Sequence, residues 1–436
     1  MLLNLLLPAI AVSARVPYAV EPALSHATVV AAVRAGSAAA LSSLRPADGG
    51  RGLVARCDYH MVRGEWFDYE RLWHTAVTVD ALVAASELLG NRSDLDAAAA
   101  AAGAWWASQA IASPPALRGL VNSTDVLFHG LGCLTDACDG TQDLSDVSDA
   151  AYGVFHLCAR NATACGAADA AVTSALYQAE HMAVAGEPGM YWSVLNKSSA
   201  APLTTDKRTQ IEGSLFLQAA QRTSNEAHKR VLTAAFVAQA DATVAYQDEY
   251  GLWMMWTPND NITGILHPRF NLWYATSLLD AFEATAKNAT YLAASLKTAL
   301  FYATRVQRRD GTVYYDTFVN GSALENDLCG SAVAFLLHLA VRLQPHVDAA
   351  SRLTLAATAR RSASWLLANQ YSSAHSDPNL RGAFLELDWR HKDPWYAGPH
   401  SRVVIHRDLG TGFALPALSA YARTLKTDEG APVAPR

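Results

Sequence analysis

Residues 69–111 read YERLWHTAVTVDALVAASELLGNRSDLDAAAAAAGAWWASQAI, and this stretch decides the fold. Apolar side chains recur at i, i+3, i+4 and i+7 on both sides of Gly90-Asn91-Arg92-Ser93, the pattern of two amphipathic helices. So short a link makes the two helices antiparallel neighbours. The same unit recurs along the chain. Helical periodicity predicts helices over 23–45, 69–90, 94–111, 146–160, 167–184, 206–223, 225–247, 269–286, 290–307, 326–343, 348–369 and 407–424. Long connections at 46–68, 112–145, 185–205, 248–268, 308–325 and 370–406 alternate with short ones. Helices that follow long connections, with runs such as SLFLQAA and AVAFLLHLAV, are apolar round more of their circumference. Burial on both sides follows, so these form an inner ring and the others an outer ring. The expected fold is all-α: an (α/α)6 toroid of six helical hairpins, one domain over residues 15–425, with a polar tail at 426–436.

The long connections mix glycine, β-prone aromatics and polar residues: GMYWSVLN at 189–196, GLWMMWTPND at 251–260, GTVYYDTFVNG at 311–321 and GAFLELDW at 382–389. They read as small hairpins that emerge at one mouth of the toroid. Tyr191, Trp192, Trp253, Trp256, Tyr314, Trp389 and Trp395 would crowd that mouth, where aromatic faces stack on sugar rings.

The bulk properties narrow the function. The 436 residues are 17% charged with a net charge of −6, and no Lys/Arg run is long enough for a phosphate-binding stripe. Nucleic acid is therefore not an expected partner. The N-terminal MLLNLLLPAIAVSA is too short to span a bilayer and ends in small residues at Val12-Ser13-Ala14, as a secretory signal over residues 1–14 does. No membrane span is expected. Seven of the fourteen asparagines lie in N-x-S/T sequons: Asn91, Asn122, Asn161, Asn196, Asn261, Asn288 and Asn320. Chance would give roughly two, which points to export and glycosylation. Six cysteines suit an oxidising compartment; the most local pairing joins Cys133 to Cys138 and Cys158 to Cys165, leaving Cys57 and Cys329 for each other.

Carboxylates are the chemistry-bearing residues. Asp143, Asp146 and Asp149 enter an inner helix, and Asp146 and Asp149 share a face at i, i+3. Such a pair can serve glycosidic hydrolysis, or simply cap the helix. Glu212 lies beside Gly213 in TQIEGSLFLQAA, with Lys207 and Arg208 near enough to pair. Asp327 begins another inner helix, Asp68 and Glu70 offer a further pair, and Asn271, Trp273 and Tyr274 open RFNLWYATSLL toward the mouth. His391, His400 and His406 share one loop, but H-E-x-x-H, GxSxG, GxGxxG and P-loop motifs are absent. No metal and no cofactor are expected.

The chain resembles glycoside hydrolase family 76, the α-1,6-mannanases, over about residues 60–425. EWFDYERLWHTAVTVDALVAASELLGN resembles that family's first inner helix, with a Trp followed by a Leu/Ala-rich run. KRTQIEGSLFLQAAQRTSN resembles its Lys-Asn-x-x-x-Asn-Gly helix, with Arg208 and Glu212 at the two Asn positions. RFNLWYATSLLDAFEAT resembles its Tyr-Asn-Gln-Gly helix and keeps Asn271. NDLCGSAVAFLLHLA stands where an Asp-x-x-x-Phe-Lys-Gly helix belongs. The family's two adjacent catalytic aspartates align with Ser148-Asp149, ahead of Tyr152, so only the second is kept. The resemblance implies a toroid and a secreted glycoside hydrolase, endo-acting on α-1,6-mannan or a related cell-wall glycan. It implies Asp149 as acid/base with Asp146 as the replacement partner. Trp73, Tyr152, Arg208, Glu212, Asn271, Trp192, Trp253, Trp256 and Trp389 are the expected substrate contacts. Two alternatives stand beside it. One is an unsaturated uronyl hydrolase, for which Arg208 and Arg269 would meet the sugar carboxylate. The other is a glycan-binding protein without turnover.

Overall fold

The computed structural model describes residues 24–61, 63–67, 71–123, 140–256, 259–286, 288–323, 327–388 and 405–430. These hold twelve α-helices: α1 His26–Ser42, α2 Arg71–Leu88, α3 Ser93–Ser108, α4 Ser145–Arg160, α5 Gly166–His181, α6 Leu215–Arg222, α7 Glu226–Ala245, α8 Pro268–Ala284, α9 Ala289–Phe301, α10 Gly330–Leu343, α11 Ala349–Ala368 and α12 Leu409–Gly430. Helices α2, α4, α6 with the turn before it, α8, α10 and α12 contact one another in that order, and α12 returns to α2. The other six pack outside them. This is the (α/α)6 toroid that the repeat predicts. No described helix is long and apolar enough to cross a membrane.

Local chemistry fixes the element ends. Four of the six outer helices carry side-chain caps: Ser25 for α1, Asn225 for α7, Asn288 for α9 and Asp348 for α11. Each cap satisfies backbone N–H groups that have no partner within the helix. The inner helices pack tightly. A Cβ added at Gly153 of α4 would lie 1.9 Å from the Ala76 carbonyl oxygen of α2, so only glycine permits that approach.

Short strands dress the end at which the inner helices begin: β1 Leu44–Pro46, β2 Leu53–Ala55, β3 Asp58–His60, β4 Glu65–Phe67, β5 Thr141–Asp143, β6 Tyr191–Asn196, β7 Ala201–Arg208, β8 Ile265–Leu266, β9 Thr317–Phe318, β10 Leu387–Asp388 and β11 Ile405–Arg407. The order β10-β11-β3-β4 unites the first and last long connections, with His406 opposite both Leu387 and Tyr59. That sheet closes the ring at its seam.

Several expectations are corrected. The helix predicted over 206–223 begins only at Leu215. Left-handed backbone at Gln210, Gly213 and Ser214 breaks it, with φ of 50°, 69° and 52°. Gly213 is needed there because a Cβ would meet the Ser148 carbonyl oxygen at 2.0 Å. Helix α12 continues to Gly430, into the segment expected as polar tail. The Cys158–Cys165 disulfide is formed and ties the end of α4 to the start of α5. Cys57 and Cys329 are buried thiols instead of a cystine. The Cys57 Sγ lies 3.8 Å from the Ala55 carbonyl oxygen, and the Cys329 Sγ lies 3.5 Å from the Ser331 hydroxyl. The expected signal segment 1–14, the Cys133–Cys138 pair, Asp68, Glu70, Trp389, Trp395, His391 and His400 lie outside the described residues.

Candidate active site

The first turns of the inner helices and the strands feeding them meet in one buried polar layer. Arg208 ends β7, and Glu212 sits in the turn before α6; both are 0% exposed, with Nη1 3.5 Å from Oε1. The Tyr274 hydroxyl of α8 lies beside this pair, and burial followed by the Glu212 charge raises its pKa well above the ordinary value. Across the layer, the Arg269 Nη1 lies 3.3 Å from Glu386, whose other carboxylate oxygen accepts from the Ser331 backbone N–H at 2.7 Å. The Tyr315 hydroxyl donates to the same Glu386. The Arg269 guanidinium also stacks on Trp73 at 5.4 Å and Phe270 at 5.5 Å. His74 Nδ1 and Asp408 join α2 to α12 at 2.5 Å.

Asp149 is the chemically distinctive group. It lies in the second turn of α4, 6% exposed, and its Oδ1 forms no hydrogen bond. Burial raises its pKa well above the ordinary carboxyl range, and the neighbouring Glu212 charge raises it further; Arg208 opposes. A carboxyl whose pKa is raised in this way is suited to donating a proton. Burial alone would lower the Arg208 pKa, but Glu212, Tyr274, Asp206 and Asp149 together outweigh it and hold the guanidinium charged. Other polar atoms of the layer, the Ser148 hydroxyl, the Arg269 Nε and the Trp273 Nε1, are also buried without a hydrogen bond. Native interiors tolerate few such atoms, so a cluster of them around one carboxyl marks a place for a hydrogen-bonding ligand.

The sequence-based residues divide into those the layer gathers and those it does not. Asp149, Arg208, Glu212 and Trp73 come together. The Asp146 carboxylate accepts from the Ser123 hydroxyl. The carboxylate acting most strongly on Asp149 is Glu212. Asn271 is consumed structurally. Its Oδ1 accepts from the Trp253 N–H at 3.0 Å, and its Nδ2 donates to Asn259 at 2.7 Å. Trp253 and Trp256 are buried at 0% and 3% exposure and stack on each other at 6.4 Å; both meet Tyr274 edge-on at 5.3 Å. Their faces serve the loop and not the mouth. Trp192 on β6 remains half-buried. The Tyr152 hydroxyl donates to Asp280 beneath the layer. Asp327 is buried ahead of α10 and does not start it. Glu386 was missed, although an acid between Leu385 and Leu387 in an apolar run is an anomaly that sequence alone displays.

A cavity of about 670 Å³ runs down the toroid axis from this layer. Asp149, Trp273 and Phe335 line its inner end. Its exposed lining residues, Glu87, Ala159, Gln221, Arg222 and Arg423, lie in the C-terminal parts of the inner helices. This cavity therefore opens at the end opposite the long connections. Among the described residues, no cluster of three His, Cys, Asp or Glu is placed to hold a metal ion.

Fold and layer together define an (α/α)6 toroid with a carboxyl and guanidinium centre on its axis. No protein-family model matches the chain, and no curated protein does. Among solved structures it is similar to the unsaturated glucuronyl hydrolase of Bacillus sp. GL1, with a TM-score of 0.60 and 13% identity over 92% of this chain and 97% of that one. It is similar to a cellobiose 2-epimerase from Bacillus thermoamylovorans, with a TM-score of 0.63 and 10% identity over 90% of this chain and 99% of that one. It is also similar to a D-mannose isomerase, with a TM-score of 0.62 and 12% identity over 92% and 99%. At such identities the likeness establishes the fold. These neighbours are carbohydrate-processing six-hairpin enzymes, and the likeness does not single out family 76.

Proposed function

We propose that this protein is a carbohydrate-active hydrolase that cleaves a saccharide held on the toroid axis, with Asp149 as the proton donor. The observation that carries this reading is the Asp149 carboxyl at the inner end of the axial cavity, with one oxygen left without a hydrogen bond and a pKa that burial and Glu212 raise. Cleavage needs a proton on the departing glycosidic oxygen and a base for the attacking water. Asp149 supplies the proton, and the water adds to the anomeric carbon. The proton that the water loses passes to Glu212, which Arg208 holds in place. Family 76 resemblance makes α-1,6-mannan the first substrate of choice.

A second reading has its own support. Arg208 and Arg269 place two guanidinium groups in the same layer as Asp149, a setting that suits a sugar carboxylate. An unsaturated uronyl hydrolase would use the Asp149 proton on the sugar double bond, with water adding to the carbon left electron-poor. Incubation with α-1,6-mannan and with an unsaturated glucuronyl disaccharide, followed by product analysis, separates the readings. Saccharide release from mannan alone supports the first, and loss of the uronyl absorbance alone supports the second. Turnover of neither, with retained binding, replaces both with a binding function.

Export belongs to the same proposal. The sequons at Asn91, Asn261, Asn288 and Asn320 are exposed on turns and helix starts, where a glycan has room. Glycosidase treatment of the chain made in a eukaryotic secretory host should lower its apparent mass, and an unchanged mass would end the glycoprotein reading.

A further inference from the structure

The axial cavity reaches well beyond the acidic layer. Its middle is walled by Tyr152, His156, His338 and Phe413, all only partly buried although they point toward the centre of the ring. Small residues keep it open: Ala84, Ala334 and Ala420 line it where larger side chains would fill the axis. Its aromatic end is built from Trp273, Phe335 and Phe413, with centroids 4.7 to 5.4 Å apart. Its volume is in the range of sites that hold a small ligand, roughly 300–1,000 Å³.

The charges along the wall are already matched. His156 bonds to Asp80 at 2.7 Å and lies 3.3 Å from Glu87, which also takes Arg423 at 2.9 Å. Arg342 bridges Asp280 at 2.8 Å and Glu283 at 2.7 Å, and Arg222 pairs with Asp169 at 2.9 Å. Charges bonded to one another in this way offer hydrogen bonds while already holding partners, which favours a neutral ligand over an ion. His338 differs from them. Its ring faces the cavity with no hydrogen-bond partner among the described residues, and burial followed by the nearby Arg342 lowers its pKa to about 4. It stays a neutral imidazole, one nitrogen a donor and the other an acceptor.

We propose that this cavity is a binding site for neutral sugar units that enters from the C-terminal ends of the inner helices and continues inward to Asp149. It rests in part on the proposed function, because Asp149 forms its inner end. Under it the enzyme acts on a chain end threaded down the axis.

The test uses the whole chain and α-1,6-mannobiose as probe. Ala420 lies about 16 Å from the start of α12 and Asp149 about 6 Å from the start of α4, counting a rise of about 1.5 Å per residue. Ala420→Phe puts a ring into the passage without touching the acidic layer. Calorimetry should show mannobiose binding to the wild type and at least tenfold weaker binding to Ala420→Phe at a similar melting temperature. If Ala420→Phe does not fold, His338→Leu takes its place, and the same weakening is expected. A folded variant that binds as well as the wild type overturns the proposal, as does a wild type that does not bind mannobiose. Turnover is read separately on the same samples. Binding that depends on Ala420 without turnover of any glycan would sink the hydrolase reading and leave this site standing. Turnover unaffected by Ala420→Phe would mean that substrate reaches Asp149 from the loop end, and would overturn this proposal alone.

Discussion

Asp149→Asn separates catalysis from structure more sharply than any other single substitution. Asn keeps the size of the side chain and its capacity to accept a hydrogen bond, and removes the proton that Asp149 is proposed to donate. Loss of a general acid costs about 10² to 10⁴ in rate. At about 1.4 kcal/mol per tenfold, that is about 3 to 5 kcal/mol of transition-state stabilisation. Stability should move the other way. Folding raises the Asp149 pKa, through burial first and Glu212 second. The stability this group contributes is therefore fully present below the unfolded carboxyl pKa of about 4, and it is lost as pH rises toward the folded value. Asn has no such loss, so at pH 7 Asp149→Asn should melt no lower than the wild type, and its advantage should shrink toward pH 4. Helix capping does not confuse the result, because the N-cap of α4 is Leu144 and Asp149 lies a full turn inside. The assay is turnover of the substrate identified above, beside thermal melts at pH 4 and pH 7. Undiminished turnover, or a loss of turnover matched by a fall in melting temperature at pH 7, would refute the assignment.

Further outcomes follow from other contacts. Arg208→Met leaves the Glu212 carboxylate buried without its counter-ion and should cost about 3 to 5 kcal/mol in urea unfolding, most of it recovered in Arg208→Met/Glu212→Leu; equal losses in both variants would contradict the pairing. Burial alone lowers the His156 pKa, but Asp80 and Glu87 outweigh it and raise it to about 9. Its contribution is thus fully present below about pH 6.5 and lost as pH rises through about 9. The wild type should lose up to about 3 kcal/mol across that window relative to His156→Gln, and parallel stability curves would rule out the effect. Opening the Cys158–Cys165 bridge with paired serines should lower stability by about 2 kcal/mol, the chain-entropy value for so short a loop; no change on denaturation would mean that the bridge contributes nothing.

Much of this was legible in the residues. The twelve helices, their pairing and the inner and outer rings all follow from apolar spacing and connection length, because helix periodicity is a local property. The Cys158–Cys165 bridge was legible for the same reason, since its cysteines flank one short turn. Asp149 could be picked out by its place at the start of an inner helix. Its partner could not. Asp146 shares its helix face, but Glu212 reaches Asp149 only because left-handed backbone at Gly213 and Ser214 lays that turn against Ser148.

The loop aromatics show where sequence reasoning stops. Their residue types announce large apolar faces but do not say what those faces meet. Trp253 and Trp256 found each other and Tyr274, and burying three rings together removes more apolar surface from water than a solvent-facing platform would. The sequence by itself determined the architecture, because periodicity and turn chemistry act over a few residues. The tertiary structure alone decided which charges meet, where the axial cavity lies, and that burial and Glu212 raise the Asp149 pKa. Those outcomes depend on distance and burial between segments far apart in the chain, and a residue's identity carries neither.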